Sequence, residues 1–168
     1  GFEIHTDNVE SALSLYDFFF KIGKEFNLKP GTPNHPERIE GGLLSYGNDM
    51  DIGDNPFECG FEKYINLESD INFLGKEKLK EIKKDGVKRK LMGVKIDAQE
   101  ITLEEEKVML NDKNKEIGRL RSAAYSPKFK KVVGIAMIKK DFSDLTQKFK
   151  ININGNITSG EVCNLPIL

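Results

Sequence analysis

The sequence lacks the features that would place it at a membrane or on a nucleic acid. It contains no apolar run long enough to span a bilayer and no signal-peptide pattern, so neither is predicted. Its net charge of -1 at pH 7 provides no excess of positive charge for a nucleic-acid surface. The lysines of residues 76–90 alternate with acidic residues, which is typical of the solvated face of a helix.

Cysteine and histidine are scarce, with two residues of each. Cys59 and Cys163 are far apart and lack CxxC spacing, so we expect reduced thiols in a cytoplasmic protein. His5 and His35 have no familiar zinc-ligand spacing relative to these cysteines, so no structural metal is predicted. The sequence has no GxSxG motif and nothing near Cys59 that would lower the pKa of its thiol. A hydrolase of either nucleophile class is therefore disfavoured.

Candidate functional residues are concentrated in residues 36–64, PERIEGGLLSYGNDMDIGDNPFECGFEKY. Arg38 stands just ahead of two adjacent glycines, so its guanidinium lies where the backbone can approach a ligand closely. Asn55 and Pro56 then form a pair that is typical of a turn. The alternative interpretation is a long ordered loop with charged side chains at the surface, and the residues alone leave both open.

The first third of the chain predicts one strand and one helix. Residues 1–5 alternate apolar and polar side chains, which predicts a short strand. On such a strand an isolated Glu3 either faces solvent, which is favoured, or lines a cleft. Asp7 with Glu10 resembles a capping box and opens a helix that is predicted to reach about Phe26. This helix carries a wide apolar and aromatic face, which we expect to be core.

The pattern changes near residues 85–88, after a second helix predicted from Phe73 to about Lys84. Six short strands follow, predicted at residues 90–96, 107–110, 116–121, 132–138, 149–153 and 157–162. Residues 111–115 and 154–156 have the composition of hairpin turns between them. The sequence therefore predicts an α+β protein that ends in a small antiparallel barrel or sandwich.

Seven landmarks occur in the order found in one protein family. They are GFEI at Gly1, RIEGGLLSYGNDMD at Arg38, NPFECGF at Asn55, FLGKE at Phe73, GVKRKLMGV at Gly86, YSP at Tyr125 and NLPIL at Asn164. Together they resemble the glycine-cleavage T-protein, or aminomethyltransferase, family over essentially the whole chain. Within that family, the RIEGGLLSYGNDMD loop and the GTPNHPE turn are most similar to the dimethylsulfoniopropionate demethylases.

The resemblance implies a three-domain, cloverleaf-like fold that binds tetrahydrofolate. Residues 1–86 would be the C-terminal part of its folate-binding α+β region, and residues 87–168 its C-terminal β-barrel domain. The chain would then be the later part of a longer polypeptide, with the upstream half as its partner. The family's catalytic Asp is expected in that upstream half, so no catalytic residue is assigned here. The oligomeric state is left open, a homodimer included.

Three residues are candidate tetrahydrofolate contacts by resemblance. Glu3, from the GFE motif, is implied to bind the pterin, since a carboxylate can accept two parallel N–H bonds from its amino-pyrimidinone edge. Arg38 matches the Arg of the family's RLEAG motif and is expected to contact an anion or a glutamyl tail. Tyr46 matches the Tyr eight positions later and is expected to form a packing or hydrogen-bonding wall.

Two departures from the aminomethyltransferases bear on the reaction. An Ala-Arg-Asp run precedes their RLEAG motif, where this sequence has Pro33-Asn34-His35-Pro36, and their TSG is Arg121-Ser122-Ala123 here. The loss of the upstream Arg favours a different one-carbon donor. The resemblance thus implies methyl transfer from the sulfonium of dimethylsulfoniopropionate to tetrahydrofolate. The alternatives are an aminomethyltransferase of the glycine cleavage system, which uses a lipoyl carrier protein, and a folate-binding module without turnover.

Overall fold

The structure is a computed structural model that describes residues 2–31 and 34–167. Packing divides the chain into two compact units, residues 1–32 and 33–168. No helix in the described ranges is long and apolar enough to cross a membrane.

The first unit consists of helix α1, Val9–Ile22, followed by a 3-10 turn, Gly23–Phe26. The N-cap is Asn8, whose Oδ1 accepts a hydrogen bond from the Ser11 amide at 2.8 Å, so the prediction that Asp7 caps the helix was wrong by one residue. Residues 2–6 form no strand, contrary to the prediction for residues 1–5, of which Gly1 lies outside the described residues. A strand needs a hydrogen-bonding neighbour, and no strand described here pairs with this segment.

The apolar face of α1 is exposed rather than core, which corrects the second prediction for this unit. No residue of α1 is buried, and the side chains of Leu13 and Tyr16 are 61% and 52% exposed. Tyr16 and Phe20 contact each other with ring centroids 4.5 Å apart. Helices of this length depend on tertiary packing for most of their stability, and a unit of about thirty residues is too small to supply a core.

Two helices precede the strands of the second unit. Helix α2, His35–Glu40, was not predicted, because the prolines around His35 were interpreted as a turn. Helix α3, Lys76–Asp85, confirms the second predicted helix and ends at Gly86, whose φ of 78° only glycine adopts readily. Residues 57–67 are turns with one 3-10 helix, Glu62–Tyr64.

The rest of the second unit is a closed antiparallel barrel, which confirms the predicted fold class. Its strands are β1 Arg89–Ile96, β2 Lys107–Leu110, β3 Glu116–Ser126, β4 Lys131–Lys139, β5 Lys148–Ile153 and β6 Asn156–Cys163. The neighbour order is β1-β4-β3-β2-β5-β6, and β6 pairs with β1 to close the barrel. The β2–β5 seam is short, with only Met109–Ile151 and Leu110–Lys150 as partners.

The barrel has an interior core and a second apolar layer on its outer wall. Strand β5 alternates exposed and buried residues along KFKINI, as expected when only one face is covered. Strand β4 is instead buried from Val132 to Ile138, because its outer face is also covered. The covering layer packs Ile39 of α2 and Ile167 against Val133 and Ile135. This layer fixes α2, and therefore Arg38, on the barrel.

We expect Ile39→Ala to lower the free energy of unfolding by about 2–5 kcal/mol, because Ile39 is fully buried between α2 and β4. Ile157→Ala is the matched control, since Ile157 is 77% exposed and its loss should cost less than about 1 kcal/mol. Urea unfolding of both variants measures the difference. Equal losses would show that α2 is not held by this layer.

Candidate functional site

The candidate site is built on α2 and the irregular segment that follows it. Asn34 caps the helix by accepting a hydrogen bond from the Glu37 amide at 2.9 Å, while its own amide donates to Glu37 Oε2 at 3.3 Å. This reciprocal capping box, with Pro36 in the first turn, explains why six residues suffice for a helix here. Arg38 lies in the last turn, facing the segment that contains Tyr46.

Arg38 binds a buried carboxylate of the following loop. Its Nη1 donates to Asp49 Oδ2 at 2.6 Å and to the Leu43 carbonyl at 2.8 Å. The Ser45 amide donates to the same Asp49 oxygen at 2.6 Å. Asp49 is fully buried, and its Oδ1 has no hydrogen-bond partner among the described residues. Arg38 therefore closes the loop on itself, from residue 43 to residue 49.

Two arginines of the barrel hold the next part of the loop. Arg121 of β3 donates from Nη1 to Asp54 Oδ2 at 2.5 Å and to the Asp49 carbonyl at 3.0 Å. Arg89 of β1 donates from Nη2 to Asp54 Oδ1 at 3.0 Å and to Glu58 Oε2 at 2.9 Å. Asp54 and Glu58 have side chains that are 1% and 8% exposed. Charge-assisted bonds to buried carboxylates thus fix the segment that presents Tyr46.

These contacts keep Asp54 ionised. Burial alone would raise the pKa of Asp54, but the hydrogen bond from Arg121, a backbone hydrogen bond at Asp51 and the charges of Arg121 and Arg89 together lower that pKa. A hydrogen bond with Glu58, followed by the charges of Glu58 and Asp54, raises the pKa of Arg89 against the effect of burial. Burial would lower the pKa of Arg121, but its hydrogen bond with Asp54 and the nearby carboxylate charges raise it. Arg121 also lies near Glu106, with Nε 2.9 Å from Oε1 but without the alignment of a hydrogen bond.

The three predicted cofactor residues are distributed over both units. Glu3 lies in the first unit, where its side chain is 92% exposed and its Oε2 is 3.8 Å from His5 Nε2. Arg38 and Tyr46 lie in the second unit, with Arg38 largely covered and the Tyr46 side chain exposed. Tyr46 and Met50 form an isolated backbone bridge, which brackets the turn between them. The assignment of all three to tetrahydrofolate stays a prediction.

The two cysteines are free thiols, as expected. Burial, followed by the charges of Asp54 and Glu58, raises the pKa of Cys59 to about 11. Burial is also the main cause that raises the pKa of Cys163 to about 11. Neither thiol is ionised at neutral pH, which argues against a cysteine nucleophile.

Sequence reasoning missed most of the residues that hold the loop. Asp49, Asp54 and Glu58 stand among turn residues, where carboxylates are ordinarily solvated. Asp54 and Glu58 pair with Arg89 and Arg121, which are 31–67 residues away, and no local pattern links them. Asp49 pairs with Arg38, eleven residues before it. One signal was available for α2, because Asn34 with Glu37 three residues later is the sequence signature of a capping box.

Two family models match adjacent parts of the chain. Residues 1–69 match the GCVT N-terminal domain, and residues 89–168 match the glycine cleavage T-protein C-terminal barrel domain. The segment that carries Arg38 and Tyr46 lies in the first match, and the strands that carry Arg89 and Arg121 lie in the second.

Two curated proteins illustrate the similarity. The chain is 36% identical over 138 residues to the dimethylsulfoniopropionate demethylase DmdA of Ruegeria pomeroyi, covering 82% of this chain and 37% of that protein. It is 33% identical over 155 residues to an aminomethyltransferase of Thermoanaerobacter pseudethanolicus, covering 91% of this chain and 41% of that protein. The chain therefore spans about two-fifths of the length of these relatives.

A solved structure has the same fold. The aminomethyltransferase T of the glycine cleavage system from Bartonella henselae superposes with a TM-score of 0.72 at 20% sequence identity. The match covers 80% of this chain and 37% of that one.

The pairing of Asp54 predicts a specific pH dependence. Since folding lowers the pKa of Asp54, its stabilisation is complete above its ordinary value of 3.8 and is lost as the pH falls through the lower folded value. We expect Asp54→Asn to lower the free energy of unfolding by about 2 kcal/mol or more at neutral pH, because it leaves buried arginine charge unpaired.

The difference between the native chain and Asp54→Asn should shrink as the pH falls below 3.8 and through the lower folded pKa of Asp54, where the native carboxylate takes up its proton. Urea unfolding at several pH values measures it. Asp112→Asn is the matched control, since the Asp112 side chain is 88% exposed. A difference that is constant with pH would contradict the assigned role of the Asp54 charge.

Proposed function

Because the chain belongs to the glycine-cleavage T-protein family, we propose that it serves in a tetrahydrofolate-dependent methyltransferase that uses dimethylsulfoniopropionate as the donor. The observation that carries the proposal is the 36% identity to a dimethylsulfoniopropionate demethylase, over residues that include the Arg38–Tyr46 segment. The absence of the Ala-Arg-Asp run before Arg38 supports the same donor. The products would be 5-methyltetrahydrofolate and methylmercaptopropionate.

The proposed chemistry requires positioning more than covalent assistance. The methyl–sulfur bond breaks with its electron pair going to sulfur, which becomes a neutral thioether, while the pterin nitrogen forms the new bond and loses its proton. A sulfonium is already an activated leaving group, so no serine or cysteine nucleophile is needed. The protein must hold donor, methyl group and acceptor in line and exclude water. The raised pKa of Cys59 agrees with this mechanism.

The described residues offer groups that fit tetrahydrofolate. The Glu3 carboxylate has no partner closer than the His5 ring at 3.8 Å, so both of its oxygens can accept N–H bonds from a pterin. The exposed Tyr46 ring can pack against a flat ligand, and Arg38 can contact an anionic group. We assign these three residues to the cofactor and propose that the reacting carboxylate is contributed from outside this chain.

We also propose the domain division and the surroundings of the chain. Residues 1–86 would be the end of the folate-binding region and residues 87–168 the barrel domain, with the boundary between α3 and β1. The exposed apolar face of α1 would pack against further polypeptide of the same protein, since the relatives are more than twice as long as their matched parts. The two free thiols favour a cytoplasmic location.

An aminomethyltransferase of the glycine cleavage system is the second candidate. The 33% identity to an aminomethyltransferase over 91% of this chain favours it. It would release ammonia from an aminomethyl-lipoyl carrier protein, which the first candidate would not. A folate-binding module without turnover is the third candidate, and it would bind folate without forming product from either donor.

We expect the purified full-length protein, including the polypeptide that contributes the reacting carboxylate, to form 5-methyltetrahydrofolate and methylmercaptopropionate in equal amounts from dimethylsulfoniopropionate and tetrahydrofolate. Chromatography of both products measures the reaction, and the aminomethyl-lipoyl carrier is the comparison donor. Ammonia release from that carrier, without product from the sulfonium, would replace the first candidate by the second. Folate binding without either reaction would leave only the third.

We expect Glu3→Ala to weaken folate binding by about 1–3 kcal/mol, because the pterin would lose a pair of hydrogen bonds to a carboxylate. Calorimetric titration of folate measures the change. Glu25→Ala is the control, since Glu25 is an exposed acid of the same unit. Unchanged folate affinity in Glu3→Ala would remove Glu3 from the site.

A further inference from the structure

A cavity of about 430 Å³ lies between the start of α2, the loop at Asn48, residues 101–103 and strand β3. Its polar lining consists of His35, Arg38, Asn48, Thr102, Arg121 and Ser122. No carboxylate side chain lines it in the described part of the chain. The cavity therefore presents chiefly hydrogen-bond donors, and we call it the α2 cavity.

Arg38 lines the α2 cavity, and one edge of its guanidinium, formed by Nε and Nη2, makes no hydrogen bond to the described residues. All of its hydrogen bonds to protein are made by Nη1, to Leu43 and Asp49. Its Nε and Nη2 have no hydrogen-bond partner among the residues described, although the side chain is only 18% exposed. These two nitrogens carry parallel N–H groups, spaced to bind both oxygens of one carboxylate.

Ser122 provides a second, independent indication of a ligand. It is only 4% exposed and lines the α2 cavity, yet its hydroxyl makes no hydrogen bond within the described ranges. The Ser122 oxygen stays accessible from the cavity, so its hydroxyl can donate to an acceptor placed there. Arg121 is not assigned as a ligand donor, because its Nη1 already donates to Asp54 and to the Asp49 carbonyl. It forms part of the cavity wall.

The charges nearby limit the class of ligand. Asp49 already balances the charge of Arg38, so recognition rests on the two-donor edge rather than on an excess of positive charge. A dianion such as phosphate would bring two further negative charges beside Asp49, where a carboxylate brings one, and is therefore more strongly disfavoured. Ile101, Leu103 and Ala123 add an apolar wall, which suits a short aliphatic chain.

We propose that the α2 cavity binds the carboxylate of a small aliphatic acid, with Arg38 Nε, Arg38 Nη2 and the Ser122 hydroxyl as donors. The binding itself does not depend on the proposed function. Its biological source does rest on that function, under which the carboxylate belongs either to the sulfonium donor or to the glutamyl tail of folate.

The test is an NMR titration of the isotope-labelled chain with methylmercaptopropionate, without folate and without turnover. We expect the Arg38 Nε–H signal to shift on binding, and the corresponding neutral amide to bind at least about tenfold more weakly. Equal binding of acid and amide, or an Arg38 Nε–H signal that does not move at saturation, would overturn the proposal.

Two variants test the donors separately. Arg38→Lys keeps the charge opposite Asp49 but removes the two-donor edge, and we expect it to weaken binding about tenfold, while Ser122→Ala should weaken it about threefold to tenfold. The matched controls are Arg119→Lys and Ser143→Ala, which lie outside the cavity and should leave affinity unchanged. If both variants fold and bind the acid with the affinity of the native chain, Arg38 and Ser122 are not the donors. If Arg38→Lys does not fold, Ser122→Ala and the Nε–H shift decide.

Competition identifies the source of the carboxylate. Folic acid that displaces methylmercaptopropionate, while pteroic acid without the glutamyl tail does not, would assign the cavity to the tail. Failure of both to displace it would assign the cavity to the donor. Binding of the acid by a protein that forms no methylated folate would leave this proposal standing and remove only the proposed function.

Discussion

The second unit depends on the pairing of three buried carboxylates in one irregular segment with three arginines from elsewhere in the fold. Asp49, Asp54 and Glu58 lie within ten residues of each other, and arginines from α2, β1 and β3 bind them. The segment has almost no regular secondary structure to hold it, so these bonds determine its course. A buried carboxylate without its arginine is strongly unfavourable, which makes the arrangement specific as well as stabilising.

This pairing connects the barrel to the candidate site. The outer layer of Ile39, Val133 and Ile135 places α2 on the barrel wall, and Arg38 then extends from α2 to Asp49. Arg121 binds the backbone of the same Asp49 from the barrel side. The loop that presents Tyr46 is thus fixed from two directions, by a helix that packs on β4 and by a side chain of β3. The barrel in this way determines the geometry of the loop.

The sequence predicted the barrel strands well and the irregular segment poorly, for a physical reason. Alternation in β5 and the apolar run of β4 are local consequences of one-sided and two-sided burial. All six strands were found, five of them within one residue at each end, while β3 extends five residues beyond its predicted end. The apolar and aromatic face of α1 was recognised from the sequence, but its burial was not predictable, because burial depends on a partner surface that the local sequence does not describe. The arginine pairs bridge dozens of residues, and Arg89 and Arg121 look like ordinary charged residues of exposed strands. The resemblance to a family identified Arg38 through its motif, whereas its partner Asp49 became evident only in the folded chain.

The short seam between β2 and β5 has a consequence for how the barrel opens. Every other pair of neighbouring strands is joined over at least four residue positions, whereas this one is joined over two, so thermal fluctuations should separate the barrel here first. The amide protons of Met109 and Ile151 should then exchange with solvent before those of the β3–β4 ladder. Such an opening would expose two strand edges at once, and a neighbouring molecule could pair with them. At high concentration, self-association is expected to begin at this seam while the rest of the barrel is still folded.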